Sequence, residues 1–161
     1  MTSINGVQLR EATAADVAAM ERCHLADPVN AVADSRMAAY FDGQHHPQQA
    51  LPARVGYVAV VNEEIVGYIA GHRTTRHGCA GEVQYLFVAP QCRRRGIGTT
   101  LLQQLAMWFH AQAVQRVCVA LADDSPKEAR PFYEGVGAAP LKRHWYAWKD
   151  IATSCSSIGL S

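Results

Sequence analysis

The stretch Val88-Ala89-Pro90-Gln91-Cys92-Arg93-Arg94-Arg95-Gly96-Ile97-Gly98-Thr99 connects an apolar segment to an amphipathic one. The preceding residues, 82–88, are short and largely apolar, which is typical of a strand. The following residues repeat apolar side chains at helical spacing, at Leu101, Leu102, Leu105 and Phe109. Residues 88–99 are therefore predicted to form a basic, glycine-containing turn between a strand and the start of a helix.

Such a turn is suited to binding a phosphate group. The first N–H groups of a helix have no internal partner, and the helix dipole adds partial positive charge there. Gly96 and Gly98 would let a pyrophosphate approach these N–H groups, and Arg93 to Arg95 would add charge around it. An arginine run is by default a solvated basic patch, so its place before a helix is what favours a binding role.

Two other phosphate-binding patterns do not fit this turn. A P-loop requires a lysine followed by Ser or Thr after its second glycine, whereas Gly98 is followed by Thr99-Thr100. A dinucleotide-binding turn requires a third glycine where Leu101 stands and an acidic residue about 20 positions further on, where residues 116–119 contain none. The spacing that remains is Arg-x-x-Gly-x-Gly.

This spacing resembles the acetyl-coenzyme A loop of the GNAT family of N-acetyltransferases. The resemblance implies that the turn contacts acetyl-coenzyme A through Arg93, Arg94, Arg95, Gly96, Ile97, Gly98 and Thr99. It also implies that the strand before the turn separates from the next parallel strand. The pantetheine arm would then lie along the backbone of Leu86, Phe87 and Val88, almost as an added strand.

A later segment extends the resemblance. After a strand at residues 116–121, Ser125-Pro126-Lys127-Glu128 places Ser at the N-cap, Pro at N1 and Glu at N3 of a second helix. That helix contains Tyr133 and ends near residues 135–137, and it is similar to the family's closing helix, whose tyrosine faces the acetyl thioester.

The segment also departs from the family pattern. Pro126 stands seven residues before the tyrosine, where the family often has an asparagine, so that contact with pantetheine is lost or passes to Ser125 or Asp124. Gly137 is followed by Ala138 rather than by the usual phenylalanine, so the segment after it lacks an aromatic anchor.

Two residues are candidates for catalysis. Tyr133 can protonate the departing thiolate, since a phenol with a reference pKa of about 10 is protonated and uncharged in the resting site. The alternative is that its ring merely packs on the buried face of the helix. Glu82 opens the strand that the cosubstrate would line, and strict alternation places it on one face with Gln84 and Leu86. It can act as a general base through water, or it can be an ordinary solvated glutamate.

Composition excludes several other classes of protein. Fifteen basic and fourteen acidic residues give a formal net charge of +1, so nucleic-acid binding is not expected. No apolar run is long enough to span a membrane or to form a secretion signal. The five cysteines are odd in number and show no Cys-x-x-Cys spacing, so they indicate neither a disulfide framework nor a zinc site and suit a reducing cytoplasm. They are Cys23, Cys79, Cys92, Cys118 and Cys155. The adjacent His45 and His46 have no carboxylate cluster beside them, so no metal is predicted.

The segments assemble into one α/β domain over residues 1–152, with a Ser-rich tail at 153–161 that has too little apolar content to pack. We expect a mixed, mostly antiparallel central sheet with one parallel βαβ crossover and helices on both faces. Further elements are a strand at 7–10, a capped helix from Thr13 to about Leu25, a short helix at 35–41, a hairpin of 55–61 with 65–72, and a last strand at 143–149.

These observations predict an acetyl-coenzyme A dependent N-acetyltransferase in which a primary amine attacks the thioester directly. The alternative is a catalytically silent acyl-coenzyme A binding module that senses the cosubstrate or serves as a scaffold. Sequence alone does not identify the amine or distinguish a monomer from a homodimer. Residues 28–52 and 73–81 carry several Arg and His and few carboxylates, which favours an anionic or neutral acceptor over a polycation.

Overall fold

The computed structural model describes residues 2–4, 6–25, 37–123 and 125–156. Within these ranges the strands form one sheet in the order β1-β2-β3-β4-β5-β6-β8-β7, in which the β5–β6 pair is parallel and the other neighbours are antiparallel. The strands are β1 Thr2–Ile4, β2 Val7–Glu11, β3 Ala50–Val61, β4 Glu64–Thr74, β5 Gly81–Val88, β6 Val117–Ala120, β7 Ala139–Lys142 and β8 Trp145–Trp148. The expected mixed sheet with one parallel crossover is confirmed.

Helices cover both faces of the sheet. They are α1 Val17–Leu25, α2 Met37–Phe41, α3 Ile97–Ala111, α4 Ala129–Gly135 and α5 Ile151–Ser156. One face carries the larger core, in which the apolar stripe of α3, including Leu101, Leu105 and Phe109, packs together with buried residues of α4 and α5. The other face carries a smaller core of residues from α1, α2 and the two longest strands: Val17, Met20, Met37, Val58 and Tyr68.

Local sequence features explain two of these elements. Thr13 and Asp16 form the expected capping box, although it closes a single 3-10 turn at 14–16 before α1 begins. Asn62 and Glu63 both adopt left-handed backbone angles, with φ of 50° and 67°, as a two-residue turn between twisted antiparallel strands requires. The predicted β3–β4 hairpin is therefore confirmed, with both strands longer than expected.

Two predicted boundaries were wrong. The helix expected from Ser125 begins at Ala129, because residues 125–128 form turns in which the Ser125 N–H bonds to the Ala122 carbonyl and the Ala129 N–H to Pro126. The last strand, expected at 143–149, is β8 and covers only Trp145–Trp148. The strand before it, β7, was not predicted, and the turn between the two contains His144 at a φ of 68°.

The expectation of an unpacked tail fails for residues 153–156. They belong to α5, in which Ile151 and Cys155 are buried in the larger core. The Gln103 side chain of α3 donates a hydrogen bond to the Cys155 carbonyl at 3.1 Å, so α5 is fixed against α3. Residues 157–161 lie outside the described ranges. No helix in the described ranges is long and apolar enough to cross a membrane.

Candidate active site

The central feature of the site is a gap between β5 and β6. Their parallel pairing is confined to residues 81–83 of β5 and 117–119 of β6. Beyond these pairs, residues 85–88 of β5 are paired with β4 on one edge only. An unpaired strand edge presents N–H and C=O groups that an extended ligand can bond. Leu86, Phe87 and Val88, the residues predicted to line the pantetheine arm, lie on this open edge.

The N-terminus of α3 follows directly from the open end of β5. Gly96 is the N-cap, with a left-handed φ of 77°, and an added Cβ there would meet no atom within 4 Å. Its carbonyl accepts hydrogen bonds from the N–H and hydroxyl of Thr100, at 3.0 and 2.8 Å. Three N–H groups precede that of Thr100 in the helix, those of Ile97, Gly98 and Thr99. The helix has no carbonyl one turn before them, so they are available to an anion.

The three arginines of the turn have different surroundings. Arg93 donates from Nε to the Val88 carbonyl at 2.8 Å, and its guanidinium lies 5.5 Å from the centre of the Phe87 ring. It therefore fastens the turn to the end of β5. Arg94 and Arg95 are exposed, and Arg94 has a left-handed φ of 64°. Their exposure leaves both charges accessible to a phosphate.

Helix α4 closes one side of the turn. A Cβ on Gly98 would lie 3.4 Å from the Phe132 ring and 3.8 Å from a Val88 methyl, so Phe132 packs over the junction of β5 and α3. Ser125 lies in the turn between β6 and α4, half-buried, and the structure gives its hydroxyl no partner among the described residues. Asp124, the alternative to Ser125, lies outside those residues.

Tyr133 is deeply placed in the larger core. It is 8% exposed, and its ring makes edge contacts with Phe132 and Trp148 at centroid distances of 5.2 and 5.9 Å. Burial raises the pKa of the phenol well above its usual range, so the hydroxyl keeps its proton. That protonated state is the one a general acid needs. No hydrogen bond to this hydroxyl is formed by any described residue.

Glu82 lies on a different face from the one that alternation predicts. Glu82 pairs with His72 and Val83 with Gly71, but Tyr85 pairs with Ala70, so Gln84 is an extra residue in β5. This bulge shifts the alternation by one position. Glu82 therefore shares the α1–α2 face with Tyr85 rather than with Leu86, which packs against the larger core on the α3 face.

The carboxylate of Glu82 is buried among two basic side chains. Its residue is 3% exposed, which excludes the solvated glutamate considered from sequence. The His72 Nε2 and Arg76 guanidinium atoms are each 3.6 Å from its Oε1. Arg76 also lies 4.5 Å above the Trp145 ring, which holds it in place. Sequence reasoning missed His72 and Arg76, because only the β4–β5 register brings them beside Glu82.

The adjacent histidines do not belong to this cluster. The His45 carbonyl and the His46 Nδ1 both bond to the guanidinium of Arg54, at 2.9 Å each. They thus help to fix the loop between α2 and β3. Across the described ranges there is no group of three or more His, Cys, Asp or Glu placed to hold a metal ion.

A separate groove of about 640 Å³ lies along the other end of α3. It is lined by residues of α3 and α5, including Met107, His110 and Thr153. Because Gly96 and the β5–β6 gap are at the opposite end of α3, this groove is distinct from the site described above.

A family model describes most of this arrangement. Residues 19–138, which contain the β5–β6 gap, the α3 turn and Tyr133, match the model of the acetyltransferase (GNAT) family. The chain belongs to the GNAT acetyltransferase family. Membership of this family indicates that the chain is an acyltransferase in general terms, and the family uses acetyl-coenzyme A. No curated protein has a significant sequence match to the chain.

Solved GNAT structures share the fold at low sequence identity. A GNAT acetyltransferase from Staphylococcus aureus Mu50 is 16% identical, with a TM-score of 0.71 over 90% of this chain and 99% of its own. The PaiA N-acetyltransferase of Thermoplasma acidophilum, solved in complex with coenzyme A, is 12% identical, with a TM-score of 0.65 over 89% and 98%. The ribosomal-protein-S18-alanine N-acetyltransferase of Escherichia coli is 14% identical, with a TM-score of 0.64 over 88% and 90%.

Proposed function

We propose that this GNAT protein transfers an acetyl group from acetyl-coenzyme A directly to a primary amine. The observation that carries the proposal is the gap between β5 and β6, which runs from the α3 N-terminus toward the last β5–β6 pairs at residues 81–83. The pyrophosphate would bind the N–H groups at 96–99 together with Arg94 and Arg95. The pantetheine arm would extend along the open edge of Leu86, Phe87 and Val88.

The chemistry requires the amine nitrogen to lose two protons and the departing thiolate to gain one. The acceptor ammonium must lose a proton before its nitrogen attacks the thioester carbon, and Glu82 is the buried carboxylate that can take this proton through water. The tetrahedral intermediate then collapses with cleavage of the carbon–sulfur bond. Tyr133 would give its phenolic proton to the departing thiolate. The nitrogen releases its second proton to solvent as the amide forms, and Tyr133 regains a proton from solvent before the next turnover.

Substitution of Tyr133 by Phe tests the enzymatic role. The change keeps the ring contacts with Phe132 and Trp148 and removes a hydroxyl that has no hydrogen bond partner among the described residues, so folding should be preserved. We expect kcat to fall by roughly 10²-fold or more, the usual contribution of a general acid, at unchanged affinity for acetyl-coenzyme A. A kcat within about threefold of the parent would show that water or another group supplies the proton.

The alternative function is a silent acyl-coenzyme A binding module. The burial of Tyr133 supports it, because a tyrosine that packs against Phe132 and Trp148 has a structural reason to be present. Calorimetry with acetyl-coenzyme A, combined with an amine panel read by thiol release, separates the two functions. Binding without thiol release from any amine of the panel would favour the silent module.

The panel should be weighted toward acceptors without multiple positive charges. Arg73, Arg76 and His77 lie between β4 and β5 or at the end of β4, and no carboxylate stands between Glu64 and Glu82 in the sequence. A polyamine would be repelled by this segment, whereas a neutral amine or an amine that also carries an anionic group would not. Faster turnover of spermidine than of any amino acid or peptide amine would refute this preference.

A further inference from the structure

Three buried side chains, one each from α2, β4 and β5, form a line that ends at the proposed base, Glu82. Tyr40 and His72 are each 0% exposed, and Glu82 is 3% exposed. The Tyr40 hydroxyl lies 2.9 Å from His72 Nδ1, and His72 Nε2 lies 3.6 Å from Glu82 Oε1. The imidazole of His72 therefore bridges a phenol and a carboxylate in a place that solvent does not reach.

The position of the protons follows from the surroundings of Tyr40. Burial raises the pKa of the Tyr40 phenol, so its hydroxyl remains protonated. Among the described residues the hydrogen bond partner of this hydroxyl is His72 Nδ1, at 2.9 Å, and the donor and acceptor roles depend on the imidazole tautomer. Donation from the O–H to Nδ1 gives the buried phenolic proton its acceptor. A neutral imidazole that accepts at Nδ1 carries its own proton at Nε2.

The Nε2–H of His72 then faces the carboxylate. Both His72 Nε2 and Glu82 Oε1 are buried and have no hydrogen bond partner within the described residues. Buried polar atoms are rarely left unpaired, and a shift of a few tenths of an ångström would join this donor to this acceptor. Because His72 and Glu82 are cross-strand partners in the β4–β5 ladder, the backbone holds them opposite each other.

Other charged and aromatic groups hold this line in place. Arg76 approaches the same Oε1 at 3.6 Å from the turn after β4. Arg54 of β3 donates to the Tyr40 carbonyl at 3.0 Å and lies 4.7 Å from the centre of the Tyr40 ring. Tyr85 of β5 makes an edge contact with Tyr40 at 5.5 Å. The Tyr40 ring is thereby fixed with its hydroxyl on His72.

We propose that His72 is a positioning residue for Glu82. With its tautomer set by Tyr40, it binds Oε1 through Nε2–H and leaves the second carboxylate oxygen to accept the proton of the acceptor amine. The inference rests on the proposed function of Glu82 as the base. One proton moves, from the amine through water to the carboxylate and later to solvent, while the imidazole stays neutral throughout.

The first test does not depend on activity. Long-range ¹H–¹⁵N spectra of histidine-labelled full-length protein at neutral pH should show His72 as the neutral tautomer with the proton on Nε2. Tyr40→Phe removes the donor to Nδ1 and should increase the population of the other tautomer. An imidazolium, or a proton on Nδ1, in the parent protein would overturn the proposal.

The second test is a double-mutant cycle on kcat. His72→Leu should lower kcat by on the order of 10²-fold, the cost of misplacing a catalytic group by about 1 Å, without changing the affinity for acetyl-coenzyme A. His72→Gln, whose amide N–H can occupy the place of Nε2–H, should restore most of that loss. In a Glu82→Gln background, His72→Leu should cost nothing further, because His72 acts through Glu82.

Independent, multiplicative losses in the cycle would overturn the positioning role. If His72→Leu does not fold, Tyr40→Phe replaces it in the cycle, since that substitution keeps the buried ring. If Glu82→Gln retains full turnover, the assignment of the base has failed. The spectra then still decide whether Tyr40 fixes the His72 tautomer, so the two failures are distinguishable.

Discussion

Gly96→Ala tests whether the α3 turn holds the pyrophosphate of acetyl-coenzyme A. Gly96 has a left-handed φ of 77°, and a Cβ at this position would enter open space beside the first N–H groups of α3. If the pyrophosphate occupies that space, the added methyl group should push it away from the N–H groups. The folded protein itself should tolerate the methyl, because no atom lies within 4 Å of it.

The stability cost can be estimated separately from the binding cost. A residue with a Cβ in left-handed conformation costs about 1–2 kcal/mol. In a chain of this size each kcal/mol lowers Tm by about 2–4 °C. Gly6 provides a matched control, since its φ of 81° is also left-handed and a Cβ there also meets no atom within 4 Å. Gly6 lies between β1 and β2, at one edge of the sheet, and three strands separate it from the gap between β5 and β6.

The loss of one charge-assisted hydrogen bond costs about 1.5–3 kcal/mol, which raises Kd by about 10- to 150-fold. At a ligand concentration 100 times the parent Kd, the ligand stabilises the parent by about 2.7 kcal/mol. A 100-fold weaker variant would gain only about 0.4 kcal/mol at that concentration. Thermal shift with and without acetyl-coenzyme A, followed by calorimetry, measures both quantities.

The two glycine variants should therefore lose similar stability without ligand, and only Gly96→Ala should lose the stabilisation by acetyl-coenzyme A. Gly98→Val, which places a branched side chain on the second residue of α3 next to Phe132, should have the same effect on binding. Equal Kd values for Gly96→Ala and Gly6→Ala would refute the assignment of the turn to the pyrophosphate.

Two further predictions concern pH dependence and thiol reactivity. Hydrogen bonds from Arg10, at 2.8 Å, lower the pKa of Asp16 to about 2. The stabilisation is therefore present above the unfolded value of about 3.9 and is lost as the pH falls toward 2. Asp16→Asn should lower the unfolding free energy by about 1–2 kcal/mol at pH 7, a modest cost because Arg10 is partly exposed. The cost should be smaller at pH 3, where Asp16 is partly protonated in the unfolded chain. Urea denaturation at the two pH values measures both costs, and equal costs would contradict the ion pair. Burial raises the pKa of Cys23 to about 11 and of Cys155 to about 12, and all five cysteines are free and buried. Ellman's reagent at pH 8 should react slowly with the folded protein and rapidly after unfolding; a thiol that reacts at once in the folded state would contradict this.

Much of the fold was predictable because its signals are local. The apolar spacing of Leu101, Leu105 and Phe109 indicated α3, and the basic turn before it indicated a helix N-terminus. The apolar segments 55–61 and 65–72 indicated the β3–β4 hairpin. Such patterns depend on neighbours within a few positions, so they can be read without knowing what packs against them.

Element boundaries near the C-terminus were less predictable. The cap pattern at Ser125 resembled a helix start, but Pro126 and the following residues form turns before α4. Residues 153–156 looked too polar to pack, yet they belong to α5, in which Ile151 and Cys155 are buried and the Cys155 carbonyl accepts a hydrogen bond from Gln103. At α5, contacts with the rest of the fold outweigh the local preference.

The sequence by itself determined the family, and it predicted a phosphate-binding role for the turn at 93–99 and a catalytic role for Tyr133. Only the tertiary structure decided the surroundings of Glu82. The bulge at Gln84 moved Glu82 to the α1–α2 face, and the β4–β5 register placed His72 against it. Tyr40 reached the same point from a separate helix. A bulge breaks the two-residue period of a strand, and cross-strand pairing joins residues distant in sequence, so neither leaves a local pattern to read.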